Sequence, residues 1–158
     1  MEIRNSRNPM KKISFLFIPL LLGALTLQAQ DKINWLTFEE AAAKTAENPR
    51  MILVDVYTDW CGWCKKMDKE TFTNPAVIAY INKSFYPVKL NAENSSRKFN
   101  FKGREYTEET MARAFRVNSF PNFILMDPVM ENITQMPGYR LPDDFLTGLD
   151  NLVQKFSK

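Results

Sequence analysis

The sequence predicts an α/β domain, in which strands alternate along the chain with amphipathic helices. Three short apolar runs, at residues 51–57, 85–91 and 122–127, are rich in β-branched and aromatic side chains, as buried strands are. Segments with helical periodicity and their own capping residues lie between these runs. Because buried strands need cover on both faces, the pattern favours a central sheet flanked by helices.

Each predicted helix has a recognisable first residue. Thr37 and Glu40 form a capping box, which opens a helix that continues to about Glu47. Pro142 opens the last helix, because proline fits the first helical turn. The other predicted helices begin at about Cys61, at Asn74 and at Thr107, and the first of them continues to Phe72.

Two segments complete the predicted domain. Residues 92–106 are polar and are expected to be irregular, with Lys102-Gly103-Arg104 as the turn of a small hairpin. Residues 131–136 are expected to pair antiparallel with the strand at 122–127. The chain shows no internal repeat, and its 158 residues suit one domain.

The N-terminal residues 1–29 have the pattern of a secretory signal peptide. Four basic residues precede an apolar run at 13–25, and Ala29 provides a small residue before a cleavage site. The run is shorter than the roughly 20 apolar residues of a membrane-spanning helix, although an uncleaved N-terminal anchor is the alternative. We therefore predict a signal peptide at residues 1–29 and a domain at residues 30–158. The expected location is the periplasm or outside the cell, where disulfides persist.

The formal net charge of +3 arises entirely from this N-terminal segment. Residues 1–29 hold four of the 21 basic residues and one of the 18 acidic residues, so residues 30–158 are neutral. A neutral domain gives no indication of nucleic-acid binding or of attraction to an anionic membrane.

The chain has two cysteines, Cys61 and Cys64, and no histidine. Without histidine, Ser-His-Asp and Cys-His catalysis are excluded, as are His-based zinc sites. Two cysteines are too few for an all-cysteine zinc site or an iron–sulfur cluster. We predict no metal site, and no cofactor other than a redox-active disulfide between the two cysteines.

The cysteines stand in the motif Trp60-Cys61-Gly62-Trp63-Cys64, which follows a predicted strand and begins a predicted helix. Unpaired N–H groups and the helix dipole stabilise a thiolate at such a position. Cys61, at the exposed end, is the candidate nucleophile toward a substrate disulfide, and Cys64 is the candidate resolving thiol. A structural disulfide is one alternative, although so short a loop stabilises a fold little. Half of a metal site is the other alternative, but no further ligand completes it.

With this motif, the sequence resembles the thioredoxin superfamily over about residues 35–156. Further landmarks occur in the order of that family: Asp55 in the strand before the motif, Lys89 in the next strand, Phe120-Pro121 before the third strand, and Gly138. The resemblance implies a thioredoxin fold, with a central mixed sheet of about four or five strands flanked by helices.

The resemblance also implies a role for each landmark. Asp55 would be a buried acid that accepts the proton of the resolving thiol Cys64, and Lys89 would lie near that acid. A satisfied polar residue near a strand end is the alternative for Asp55. The Phe120-Pro121 bond would be cis and would expose backbone groups to a substrate strand. The implied substrate-binding residues are Trp60, Gly62, Trp63, Phe120, Pro121 and Gly138.

The dipeptide Gly62-Trp63 departs from the family. Reducing thioredoxins carry Gly-Pro between the cysteines, and strongly oxidising relatives carry Gly-His or Pro-His, whose imidazolium stabilises the thiolate. Without that cation, we expect a less oxidising potential. The resemblance therefore implies an exported, monomeric thiol–disulfide oxidoreductase that reduces disulfides of envelope proteins and exchanges electrons with a membrane partner protein. An oxidase or isomerase is one alternative, and a non-catalytic binding module with a closed disulfide is another.

Overall fold

A four-stranded mixed sheet forms the centre of the molecule. The structure is a computed structural model, and it describes residues 32–156. β1 (Ile52–Tyr57) pairs parallel with β2 (Tyr86–Asn91) and antiparallel with β5 (Asn122–Met126). β5 in turn pairs antiparallel with β6 (Ile133–Pro137). The predicted α/β class and the strand number are confirmed.

Helices cover both faces of this sheet. They are α1 (Phe38–Glu47), α2 (Gly62–Lys66), α3 (Pro75–Ser84), α4 (Glu108–Ala114) and α5 (Pro142–Gln154). Buried side chains of α1 and α4 pack against one face, and those of α3 and α5 pack against the other. Thr37 caps α1 with the predicted capping box, in which its hydroxyl accepts the Glu40 N–H. Two apolar clusters therefore stabilise the sheet from opposite sides.

β1 is buried on both faces, and its side chains alternate between the two clusters. Leu53 belongs to the cluster on the side of α3 and α5, whereas Val54 and Val56 belong to the other cluster. Because successive side chains of a strand point to opposite faces, Asp55 shares the face of Leu53. Met67, the residue directly after α2, packs into the cluster on that same face. Asp55 is therefore buried on the side of the sheet where the helix that begins at the CxxC motif packs.

The predicted helix over residues 61–72 is divided into two parts. α2 is followed directly by a π-helical turn at Met67–Thr71, where the N–H of Phe72 donates to the carbonyl of Met67 (2.9 Å). A single regular helix was a wrong prediction, because apolar periodicity does not distinguish this i+5 bonding from ordinary i+4 bonding. The turn places its second residue, Asp68, in contact with Lys89 of β2.

The polar segment 92–106 contains a regular hairpin. β3 (Lys98–Phe101) pairs antiparallel with β4 (Arg104–Thr107). Lys102 and Gly103 between them have positive φ angles of 50° and 75°, as in a type I′ hairpin turn. The expected turn is confirmed, but the expectation of irregular structure was wrong. Aromatic rings of β3 pack on Phe38 of α1, with centroids 5.0 and 5.6 Å away, and this packing orders the segment.

The predicted signal peptide at residues 1–29 lies outside the described residues and stays a prediction. Between residues 32 and 156, no helix is long and apolar enough to cross a membrane. Near the start of the described residues, Leu36 forms a parallel β-bridge with Val88 of β2.

Phe145 of α5 provides a test of the core. Its side chain is fully buried and packs edge-on against the rings of Phe72 and Phe123, at centroid distances of 5.6 and 4.9 Å. Phe145→Ala should lower the free energy of unfolding by roughly 3–5 kcal/mol, because it removes a buried ring and leaves a cavity. Val129→Ala, at a residue that is 62% exposed, should change it by less than about 0.5 kcal/mol. Urea unfolding measures both effects, and equal losses would contradict the assigned core.

Candidate active site

Cys61 and Cys64 are joined by a disulfide at the start of α2, with their Cα atoms 5.3 Å apart. Cys61 is the N-cap residue of the helix, and the backbone N–H of Cys64 donates to the Sγ atom of Cys61 (3.0 Å). In the reduced protein, this donor and the helix start would stabilise negative charge on the Cys61 sulfur. The geometry therefore supports Cys61 as the nucleophile and Cys64 as the resolving thiol.

Cys61 was expected to be exposed, but it is buried, and the exposed side chains are those of its neighbours Trp60 and Trp63. Cys61 and Cys64 are each only 4% exposed in the disulfide form, so Cys61 is no more accessible than its partner. The adjacent Trp60 and Trp63 are 67% and 57% exposed. Sequence reasoning placed Cys61 at an open helix end, but it took no account of the side chains packed around that end. The two indoles are therefore the exposed apolar side chains next to the cysteines in the motif.

Trp60 is fixed by contacts from two separate segments. Its indole N–H donates to Oε1 of Glu93 (2.9 Å), in the loop after β2. Its ring meets the ring of Phe120 edge-on, with centroids 5.8 Å apart. The Phe120-Pro121 bond is cis, as the resemblance implies. Glu93 could not be found from local sequence, because the contact joins residues far apart in the chain.

Trp63 belongs to a second aromatic pair, with Tyr139. The ring centroids are 5.2 Å apart, and the ammonium of Lys66 lies 5.3 and 5.0 Å from the two rings. Glu70 accepts a hydrogen bond from the Tyr139 hydroxyl and lies 3.9 Å from the Lys66 ammonium. Tyr139 was not among the predicted substrate-binding residues, although its position directly after Gly138 could have indicated it.

Pro121 and Gly138 contact each other, and their neighbours Phe120 and Tyr139 pack on Trp60 and Trp63. The N–H of Gly138 donates to the carbonyl of Pro121 (2.8 Å), and Gly138 has a φ of 92°, which favours glycine. The two predicted landmarks are therefore brought together. Gly62 lies in open space, since a Cβ atom there would meet nothing within 4 Å in the described chain.

Asp55 is 2% exposed and is the register partner of Lys89 across β1 and β2. The Lys89 ammonium is 3.7 Å from Oδ2 of Asp55, and Oδ1 has no hydrogen-bond partner among residues 32–156. Burial raises the pKa of Asp55 to about 7, the charge of Lys89 opposes that rise, and the charge of Asp68 adds to it. Asp55 is thus a poorly compensated buried acid, and the alternative of a satisfied polar residue does not describe it.

Lys89 is 25% exposed and is enclosed by aromatic rings. Its ammonium lies 5.5 Å from the ring centroid of Trp35, 5.1 Å from that of Tyr57 and 6.0 Å from that of Phe72. It also bonds to a carboxylate oxygen of Asp68. Asp68 was missed by sequence reasoning, because acidic residues on a helix after a motif are usually solvated.

The fold and the site define a class of protein: a thioredoxin fold whose second helix begins at a CxxC disulfide. A model of the thioredoxin-like domain matches residues 38–152, and the chain belongs to this family.

Individual relatives agree with this assignment. The thiol:disulfide interchange protein DsbD of Actinobacillus pleuropneumoniae serotype 5b is 26% identical over 110 residues, which are 68% of this chain and 17% of that protein. The solved structure of DsbH oxidoreductase has a TM-score of 0.64 at 14% identity, with 95% of each chain covered. A thioredoxin from Thermus thermophilus has a TM-score of 0.61 at 21% identity, covering 77% of this chain and 88% of that one.

The chain spans about a tenth to a fifth of the length of the first curated relatives it matches. These two solved structures are under 25% identical and show a shared fold. Family membership and the Cys61–Cys64 disulfide together show a thioredoxin-like domain that carries a CxxC cysteine pair.

Asp55 makes the stability of the oxidised protein depend on pH. The pKa of Asp55 is about 7 in the folded protein, against an ordinary value of 3.8. Between these values the folded state holds a proton that the unfolded state has lost, so stability falls as pH rises through this window. At about 1.36 kcal/mol for each pKa unit, the full loss is roughly 4 kcal/mol.

Asp55→Asn should remove this dependence and should make the oxidised protein more stable than the wild type at pH 8. Urea unfolding at pH 4.5 and pH 8 measures the difference. Glu47→Gln, at an exposed position at the end of α1, should keep the pH dependence of the wild type. A wild-type slope that persists in Asp55→Asn would show that another group titrates.

Proposed function

We propose that this protein reduces disulfide bonds of other proteins, in the periplasm or outside the cell. The observation that carries the proposal is the Cys61–Cys64 pair at the start of α2, with the Cys64 N–H on the Cys61 sulfur (3.0 Å). The disulfide is the oxidised state in which such a reaction leaves the protein. Relatedness to a thiol:disulfide interchange protein supports the same chemistry.

The first step is attack by the Cys61 thiolate on a substrate disulfide. A bond forms between Cys61 and one substrate sulfur, the substrate S–S bond breaks, and the other sulfur leaves as a thiolate that takes a proton from water. The Cys64 N–H stabilises the charge on Cys61 before the attack. The product is a mixed disulfide between Cys61 and the substrate.

Cys64 then resolves the mixed disulfide. Its thiol passes a proton to the Asp55 carboxylate, and the thiolate so formed attacks the Cys61 sulfur. The Cys61–Cys64 bond forms, and the second substrate sulfur leaves, so two electrons have moved from the protein to the substrate. A pKa of about 7 suits Asp55 to this transfer, because an acceptor works best when its pKa is near the working pH.

Substrate segments are proposed to lie between the two aromatic pairs. Trp60 packs on Phe120 at one side, and Trp63 packs on Tyr139 at the other. Both indoles keep more than half of their surface exposed, so they present large apolar faces to a partner. An extended segment with its disulfide near Cys61 fits this arrangement, as peptide strands fit exposed backbone edges in other proteins.

A reductase needs a source of electrons, because each turnover leaves Cys61–Cys64 oxidised. A dithiol protein at the membrane is the proposed donor, since an exported compartment is kept oxidising. The proposed location rests on the signal-peptide pattern of residues 1–29, and the protein is proposed to act as a monomer. An oxidase or isomerase would run the same exchange in another direction.

Substitution of each cysteine separates the two steps. Cys61→Ser should lower the rate of insulin reduction, with dithiothreitol as electron source, on the order of 10³-fold, because the nucleophile is lost. Cys64→Ser should instead accumulate a mixed disulfide with insulin, which non-reducing mass spectrometry detects. Equal and negligible turnover in the wild type and Cys61→Ser would favour a non-catalytic binding module.

The reduction potential of the Cys61/Cys64 couple decides the direction. We expect a value near or below roughly −250 mV, close to that of thioredoxin, because an imidazolium between the cysteines is absent from the sequence. Equilibration with glutathione or dithiothreitol buffers, followed by Trp60 and Trp63 fluorescence, measures it. A value of roughly −120 to −180 mV would assign the protein to the oxidases or isomerases.

A further inference from the structure

We propose that Asp68 is a positioning residue for the proton-transfer step: it holds the ammonium group of Lys89 and so keeps that group from bonding to the Asp55 carboxyl. The inference rests on the proposed function, in which Asp55 accepts the proton of Cys64. Asp68 acts through Lys89 and not on the sulfur atoms.

Lys89 lies between the carboxyl groups of Asp55 and Asp68, and its ammonium is closer to that of Asp68. Its Nζ atom bonds directly to Oδ1 of Asp68, whereas Oδ2 of Asp55 is 3.7 Å away, beyond hydrogen-bond distance. The other oxygen of Asp55 has no hydrogen-bond partner in the described part of the chain. A buried carboxylate in this condition is disfavoured relative to the neutral acid.

Aromatic rings confine the ammonium to the gap between the two acids. The faces of Trp35, Tyr57 and Phe72 surround it at 5.1–6.0 Å from their centroids and attract its charge. These ring contacts favour a position of the ammonium close to both carboxyl groups, with the Lys89 side chain 25% exposed.

Desolvation explains why Lys89 bonds to Asp68. The side chain of Asp68 is 44% exposed, whereas that of Asp55 is 3% exposed. The Asp68 carboxylate stays partly in water when it pairs with Lys89, whereas the Asp55 carboxylate would have to be charged in a buried position. The shorter of the two ion pairs of Lys89 is therefore the one with the more exposed carboxylate.

The groups that face Asp55 come from the neighbouring elements. β2 contributes Lys89, the π-helical turn contributes Asp68, and β5 places the apolar Phe123 opposite Asp55. Tyr57 lies on the same strand, and its pKa is raised, mainly by burial, so its phenol stays neutral over the range tested. Lys89 and Asp68 are thus the charges that set the proton equilibrium of Asp55 within the described chain.

Asp68→Asn tests the inference directly. The variant frees Lys89 to bond to Asp55, which should stabilise the Asp55 carboxylate and lower its pKa by about one unit, a tenfold weaker proton binding. The measurement is carbon-13 NMR titration of the Asp55 carboxyl in the oxidised protein, so it needs no activity. Lys89→Met should raise the same pKa, and Asp68→Glu, which keeps the charge, should stay closer to the wild type. Asp68 is partly exposed, and thermal melting checks that the variants fold.

The same substitution made in the Lys89→Met protein distinguishes an effect through Lys89 from direct repulsion between Asp55 and Asp68. If Asp68 acts through Lys89, Asp68→Asn should change the pKa of Asp55 much less in the Lys89→Met protein than in the wild type. An Asp55 pKa that does not fall in Asp68→Asn would overturn the proposal. The same fall in both backgrounds would also overturn it, because the effect would then not need Lys89.

The rate at which Cys64 resolves a Cys61 mixed disulfide, followed against pH, separates this inference from the proposed function. If both hold, Asp68→Asn should shift the acid limb of that rate profile to lower pH along with the pKa of Asp55. If the pKa falls in the way described but the profile stays that of the wild type, the positioning role stands and Asp55 is refuted as the proton acceptor.

Discussion

The burial of β1 on two faces and two edges is the constraint on which the site depends. The strand is hydrogen-bonded to β2 and β5, and residues Ile52–Val56 are each no more than 2% exposed. A strand held on both edges has a fixed carboxyl end. The chain that leaves it after Tyr57 begins α2 with Cys61 as the N-cap residue. The one acid in the strand, Asp55, is consequently buried on the face where that helix packs.

Burial of Asp55 opposes stability, and the surroundings do little to relieve it. A carboxyl group with an unbonded oxygen and a cation at 3.7 Å is stabilised less than one in a direct ion pair. Proteins retain such groups mainly where their chemistry is used, since most positions of this kind in a core are apolar. Lys89 contacts both Asp55 and Asp68, so the cost of burying Asp55 depends on how its ammonium is shared between the two carboxyl groups.

Local signals made much of the fold predictable, and long-range contacts account for most of what was not. The capping box at Thr37, the apolar strand runs and the CxxC motif each depend on neighbours in sequence, and the structure follows them. Glu93 contacts Trp60 from a distant segment, and nothing in its local sequence specifies that contact. Tyr139 contacts Trp63 from a distant segment too, and its position after Gly138 is the one local signal for it. The π-helical turn was missed because its residues have the same apolar pattern as an α-helix.

The charge near the cysteines bears on the direction of the reaction. A cation close to Cys61 would stabilise the thiolate and make the disulfide more oxidising. Lys66, one turn into the helix, is instead engaged by the rings of Trp63 and Tyr139 and lies 3.9 Å from Glu70. Its charge is thus partly compensated where it lies, and thiolate stabilisation falls mainly to the Cys64 N–H and the helix start. Neutral donors stabilise a thiolate less than an adjacent imidazolium does, and this difference is the physical reason for the proposed reducing direction.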